Sequence, residues 1–149
     1  MRLILVPFVL ALFIPAFCRA QTKPLEIAHL SGDFYVYKTY GSYKGKKIPA
    51  NAMYLVTRNG VVLFDSPWDP DQFQPLLDSI SARHHKKVVL CLATHFHEDR
   101  TGGLEFYRKK GIRTYTTKQT DVLSKQHGMK RAENLMRGDT TFRVGRYAF

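Results

Sequence analysis

Along the first third of the chain the apolar positions come in short strand-like runs, and beyond residue 70 their spacing widens to every third or fourth residue. Leu25-Glu26-Ile27-Ala28-His29-Leu30 reads as a strand, Ser31-Gly32-Asp33 as a turn, and the aromatic and β-branched run Phe34 to Tyr40 as a second strand. Gly41 to Lys47 carries glycines and charges with no apolar alternation, which predicts an exposed loop. Ala52 to Thr57 and Val61 to Phe64 flank Arg58-Asn59-Gly60. Asn-Gly is a strong hairpin signal because both residues tolerate positive φ, so the chain is expected to open as an antiparallel meander.

The period then changes. Asp69-Pro70-Asp71 offers a cap, and Phe73, Leu76, Leu77 and Ile80 form a helical face, with Pro75 placed in the first turn or two. His84-His85 fall at the end of this helix and read as a solvated terminus. Val88 to Ala93 is a continuous apolar run, as expected for a strand covered on both faces. Gly103 to Lys110 predicts a short helix ended by Gly111, Ile112 to Tyr115 a strand, and Thr117 to Gln126 a helix stopped near Gly128. Phe142-Arg143-Val144, a turn at Gly145-Arg146, and Tyr147-Ala148-Phe149 follow as two more strands. Strands first, then helix and strand in alternation, predict a layered α/β fold.

The first twenty residues stand apart. Met1-Arg2 is a positive start, Leu3 to Ile14 is apolar apart from Pro7, and Cys18-Arg19-Ala20 places small residues at −3 and −1 before Gln21. This is the pattern of a secretory signal peptide. The apolar stretch carries two prolines and is short for a membrane span, and bulky Phe17 argues against lipid attachment at Cys18. Residues 1–20 are thus expected to be removed on export to the periplasm, leaving 21–149 as one domain free of the membrane. That domain ends on an aromatic residue just beyond a turn, inside what reads as a new strand, so it is expected to be incomplete at its C-terminus.

Composition narrows the classes. A chain of 149 residues that is 44% hydrophobic and has 2 Cys is neither disordered, collagen-like nor a disulfide scaffold. The net charge of +11 raises the question of nucleic acid, but the basic residues are scattered in pairs and triplets. No block reaches the length of a nucleic-acid arm, and a solvated basic surface is the expectation.

The chemistry is concentrated in His95-Phe96-His97-Glu98-Asp99. Two His and an Asp at i, i+2, i+4 project from one side of an extended segment. They converge on one ion only if the segment bends, and Thr101-Gly102-Gly103 is the expected turn. Imidazole nitrogens and a carboxylate oxygen are ligands that Zn²⁺ accepts.

The run Leu92-Ala93-Thr94-His95-Phe96-His97-Glu98-Asp99-Arg100-Thr101-Gly102-Gly103 resembles the signature of the metallo-β-lactamase superfamily. It is most similar to the class B β-lactamases of the first, two-zinc subclass. Val61 to Trp68 resembles the segment just upstream in that subclass, and Gly41 to Pro49 falls where its substrate-covering flap lies. Other branches carry a second His directly after the Asp, where this chain has Arg100.

The resemblance implies the N-terminal half of an αββα sandwich, with metals at its open edge. It implies His95 and His97 as ligands of the first zinc. Asp99 is implied as ligand of the second zinc and as the catalytic residue. Arg100 is implied as a partner beneath the metals, and Asp65 either braces the metal loop or caps a turn. Trp68 reads as a packing anchor, and Tyr43 and Ile48 are flap positions that either cover a ligand or sit there incidentally. The implied reaction is attack of zinc-bound hydroxide on the amide of a small-molecule β-lactam by a monomer that binds no nucleic acid. The subclass's third His, its Cys and its last His fall later than Phe149, so full activity is expected to need residues beyond this chain. A hydrolase of the same fold acting on a thioester, lactone or phosphodiester, and an inactive truncated product, remain the alternatives. Cys91 on the buried run reads as a small apolar residue, and His29 and His127 as ordinary surface or structural residues.

Overall fold

The structure is a computed structural model that describes residues 25–149, so the expected signal peptide at 1–20 lies outside the described residues. Its centre is one seven-stranded sheet whose spatial order follows chain order. β1 (Glu26–Ser31), β2 (Phe34–Tyr43), β3 (Lys46–Thr57) and β4 (Gly60–Phe64) pair antiparallel as a meander. β5 (Val88–Leu92), β6 (Arg113–Thr117) and β7 (Asn134–Met136) then add in parallel. The parallel strands are linked by α1 (Phe73–His84), by α2 (Glu98–Thr101) with α3 (Leu104–Lys109), and by α4 (Lys118–Gln126). A hairpin of β8 (Arg143–Val144) and β9 (Tyr147–Ala148) closes the described chain.

Side-chain alternation along the strands separates two apolar clusters, one on each face. Tyr37, Tyr54, Val61, Leu63 and Cys91 meet Phe73, Leu76 and Ile80 of α1 and Leu104 and Tyr107 of α3. Leu55, Val62, Leu90 and Leu92 point the other way and meet Val144, Phe142, Tyr147 and Phe149. β5 is therefore covered on both faces, as its unbroken apolar run predicts. The α/β class stands, with a large mixed sheet as its core.

Several local expectations are corrected. The segment 41–47 is not a loop. β2 and β3 run on to pair Tyr43 with Lys46 across a two-residue turn at Lys44 and Gly45, whose φ values are 49° and 74°. That is the doubly positive turn that matches strand twist, and ladder hydrogen bonds need no apolar alternation to form. In the next hairpin the turn is Arg58-Asn59, with Gly60 paired to Thr57, so of the Asn-Gly pair only Gly60 has positive φ. A Cβ at Gly60 would also stand 2.5 Å from Val89 Cγ1. Asp69 caps a 3-10 turn at Pro70–Gln72 rather than α1 itself, which puts Pro75 in the first turn of α1, where its missing N–H is tolerated. β7 had no periodic signal at all, being three residues long.

His84 also departs from its solvated reading. The ring is half-buried, its Nε2 lies 3.0 Å from the Tyr54 hydroxyl, and its edge meets the Tyr35 ring at 4.7 Å. Burial pushes the Tyr54 phenol up to about 12, so it stays protonated and donates to a neutral His84. Burial, with the Arg83 guanidinium second, lowers the His84 pKa below its ordinary 6.5. The folded chain thus binds this proton less readily than the unfolded chain. The contribution to stability is complete above the ordinary value and is lost as pH falls through the lowered one.

Two tests follow from this packing. A Cβ on Gly41 would land among the indole atoms of Trp68, which packs against this glycine. Gly41→Ala should therefore destabilise the chain by about 1–3 kcal/mol, read from the urea midpoint. In His84→Gln the unfolding midpoint should change less between about pH 7 and pH 5 than in the unsubstituted chain. Identical pH slopes would show that His84 is not the titrating group.

Candidate metal centre

The carboxyl ends of β4, β5 and β6 lie side by side, at the edge where open parallel sheets build their ligand sites. Asp65 follows β4 and Thr94-His95 follow β5, so both approach one point from adjacent strands. The bend that brings the ligands together is at His95 to His97, before α2, and not at the glycines after it. His97 is extended at φ −66° and ψ 155° as the N-cap of α2, and Asp99 then sits in the first helical turn, where negative charge is favoured. Gly103 serves close approach instead. A Cβ there would stand 2.8 Å from Ser66 Cβ and 2.9 Å from Tyr107, and its N–H donates to Ser66 Oγ at 2.9 Å.

His95, His97 and Asp99 each present a ligand atom, and these atoms lie within 4.8 Å of one another. Two atoms on one zinc at about 2.1 Å lie at most about 4.2 Å apart, so the cluster stands close to the span one ion closes on, or divides over two. The His95 and His97 rings are nearly perpendicular, with centroids 4.9 Å apart. Two imidazoles and a carboxylate, partly open to solvent, are a donor set that fits a borderline divalent cation.

Beneath them, Asp65 is the hub. Its side chain is only 9% exposed. One carboxylate oxygen accepts from the Thr94 N–H at 2.7 Å, and both lie within 3.0 Å of the Thr94 hydroxyl. Its carbonyl accepts from the Tyr37 hydroxyl at 3.0 Å, and the Cys91 thiol stands at 3.6 Å from the same oxygen. Burial pushes the carboxyl up, while the Thr94 donors and Arg100 hold it down. The backbone at Asp65 has φ 73°, a left-handed conformation that short polar side chains tolerate better than most.

Arg100 spans the two carboxylates. It stands 3.6 Å from Asp65 Oδ2 and 3.3 Å from Asp99 Oδ2, and its Nη1 donates to the Asn51 carbonyl at 2.7 Å. Backbone bonds finish the frame: Ser66 N–H donates to the Arg100 carbonyl, and the Thr101 hydroxyl to the His97 carbonyl.

The other candidates fall elsewhere. Cys91 is fully buried, and burial raises its thiol far above the usual range, as for an inert apolar residue. Trp68 is a packing anchor, half-buried against Gly41. Tyr43 is 54% exposed at the hairpin tip. His29 bonds the Gly32 carbonyl at the surface, while exposed His127 stacks on Phe96 at 4.9 Å. Sequence reading missed Thr94, Ser66 and Tyr37. Only the position of Thr94 next to a ligand could have flagged it. An open apolar groove of about 310 Å³, lined by Val36, Ala52, Met53 and Phe64, reaches Asp65 and Thr94. A larger cavity of about 700 Å³ at Arg58, Lys86 and Arg146 lies at the opposite end of β4, away from the cluster.

Known proteins resemble this one in both sequence and fold. The chain is 43% identical over 129 residues to a metallo-β-lactamase type 2 from Elizabethkingia meningoseptica, covering 87% of this chain and 52% of the relative. It is 40% identical over 139 residues to metallo-β-lactamase IND-1 from Chryseobacterium indologenes, covering 93% and 58%. The crystal structure of metallo-β-lactamase IND-7 superposes with a TM-score of 0.79 at 41% identity, covering 86% of this chain and 59% of that one. No family model matches. The chain thus spans between half and three-fifths of the length of these relatives.

The Arg100–Asp65 contact makes a test independent of any ligand. Arg100→Ala should cost about 1–3 kcal/mol, because it removes the positive charge facing a buried carboxylate and the donor to the Asn51 carbonyl. Adding Asp65→Asn should recover part of that loss in a urea double-mutant cycle. Strict additivity would show that the two side chains do not interact.

Proposed function

We propose, from the premise that this chain belongs to the metallo-β-lactamase superfamily, that the protein carrying it hydrolyses the β-lactam amide bond with zinc as cofactor. The observation that carries the proposal is the convergence of His95, His97 and Asp99, with Arg100 joined to both carboxylates behind them. His95 and His97 would hold one zinc and Asp99 a second. When bound, zinc supplies a Lewis acid and lowers the pKa of water so that a nucleophile exists at neutral pH.

The chain's own residues do the rest by placement. Asp65 fixes the backbone ahead of His95 through the Thr94 N–H. Arg100 places its positive charge 3.3 Å from Asp99 Oδ2. The charge of Asp65, facing Arg100, keeps the guanidinium beneath the ligands instead of in solvent. No side chain in the cluster is asked to form a covalent bond with substrate.

We further propose that the protein is exported to the periplasm and acts there as a monomer. The residue pattern of 1–20 supports export, and the similar β-lactamases come from bacteria.

The test is to follow penicillin, cephalosporin and carbapenem absorbance with the purified protein. Hydrolysis is expected, with zinc supplied, from a protein that carries this chain together with the further ligands beyond Phe149, and not from residues 21–149 alone. It should vanish on chelation and return on adding zinc back. His97→Ala should lower activity by at least about 100-fold, since a lost ligand costs more than the 10–100-fold typical of a lost outer partner. Turnover of a thioester, lactone or phosphodiester with no β-lactam cleavage would overturn the substrate assignment.

A further inference from the structure

Thr94 stands between Asp65 and His95 with its hydrogen-bonding capacity divided between them. Its Oγ1 lies 2.9 Å and 3.0 Å from the two Asp65 carboxylate oxygens and 3.2 Å from His95 Nδ1. An ionised carboxylate only accepts, so the single Thr94 hydroxyl proton must point at Asp65. The oxygen then has only lone pairs to offer His95. The contact is a hydrogen bond only if His95 carries its proton on Nδ1.

We propose that Thr94 is a positioning residue that fixes His95 in the Nδ1–H tautomer and leaves Nε2 as its free donor. This rests on the metal-site reading for its purpose but not for its geometry, since all three groups are in place in the protein alone. Asp65 acts here through Thr94 and does not touch His95 itself. The general logic is that a second polar partner on the far nitrogen sets which nitrogen of a ligating His is available, and how its ring is turned. A hydroxyl between carboxylate and imidazole does this without placing a second carboxylate against the ligand.

The test compares the full chain with Thr94→Val and Thr94→Ser after chelation, at a pH where His is neutral. Valine keeps the shape and leaves the Thr94 N–H bond to Asp65, so the fold should survive at this exposed position. Thr94→Ala serves if valine packs badly. Long-range ¹H–¹⁵N correlation of the imidazoles reads the tautomer directly. His95 should show Nδ1–H in the unsubstituted chain and in Thr94→Ser, and a mixture in Thr94→Val. Zinc affinity by chelator competition should fall about 10–100-fold in Thr94→Val and recover in Thr94→Ser. A proton on Nε2 in the unsubstituted chain, or an unchanged tautomer in Thr94→Val and Thr94→Ala, overturns the proposal. If the tautomer responds as stated but zinc does not bind the unsubstituted chain, Thr94 keeps this role and the metal reading fails instead.

Discussion

The buried carboxylate of Asp65 is the constraint on which this site depends. A carboxylate with 9% of its side chain exposed is costly to charge unless donors face it. Thr94, just after β5, supplies the hydrogen-bond donors, and Arg100, within α2, supplies a positive charge 3.6 Å away. Compensating one charge therefore ties the start of the His95–His97 segment to the helix that follows it. The left-handed backbone at Asp65 turns the chain at the end of β4, and its N–H and carbonyl bond Leu92 and Tyr37. The same residue thus ties β2, β4 and β5 at the edge where the ligands emerge.

Legibility from sequence tracked the strength of periodic and chemical signals. The β5 run and the α1 face at Phe73, Leu76 and Ile80 were readable because burial on a fixed period leaves a mark. The His95, His97 and Asp99 cluster was readable because ligand chemistry allows few residue types. The hairpin tip at Lys44-Gly45 was not, since backbone ladder bonds and a positive-φ turn require only one glycine and no apolar residue. α2 was hidden because four residues cannot show a helical period, which moved the expected bend from His95–His97 to the glycines. Thr94 and Ser66 were invisible for a different reason. Their roles come from contacts across 29 and 37 residues of sequence, which no local pattern records.

His84 illustrates the converse error. A helix C-terminus with basic residues reads as solvated because most are. Here Tyr35 and Tyr54, paired with each other across β2 and β3, bring aromatic rings under the end of α1. The helix position was readable and the surface that it docks on was not. Tertiary contact between two correctly placed elements changed the chemistry of a residue that each element alone leaves ordinary.

Arg100 carries the last step of the argument. Its Nε has no hydrogen-bond partner in good geometry, yet it stands 3.3 Å from Asp99 Oδ2 and shares its plane with a group 3.6 Å from Asp65. A histidine at this position would offer another metal donor and a group that loses its charge near neutral pH. An arginine does neither, because it has no acceptor atom and stays charged. The guanidinium therefore stands beside Asp99 as a fixed positive charge, without a hydrogen bond between them. Residue 100 thus bears on the charge around the His95, His97 and Asp99 cluster without adding a donor to it.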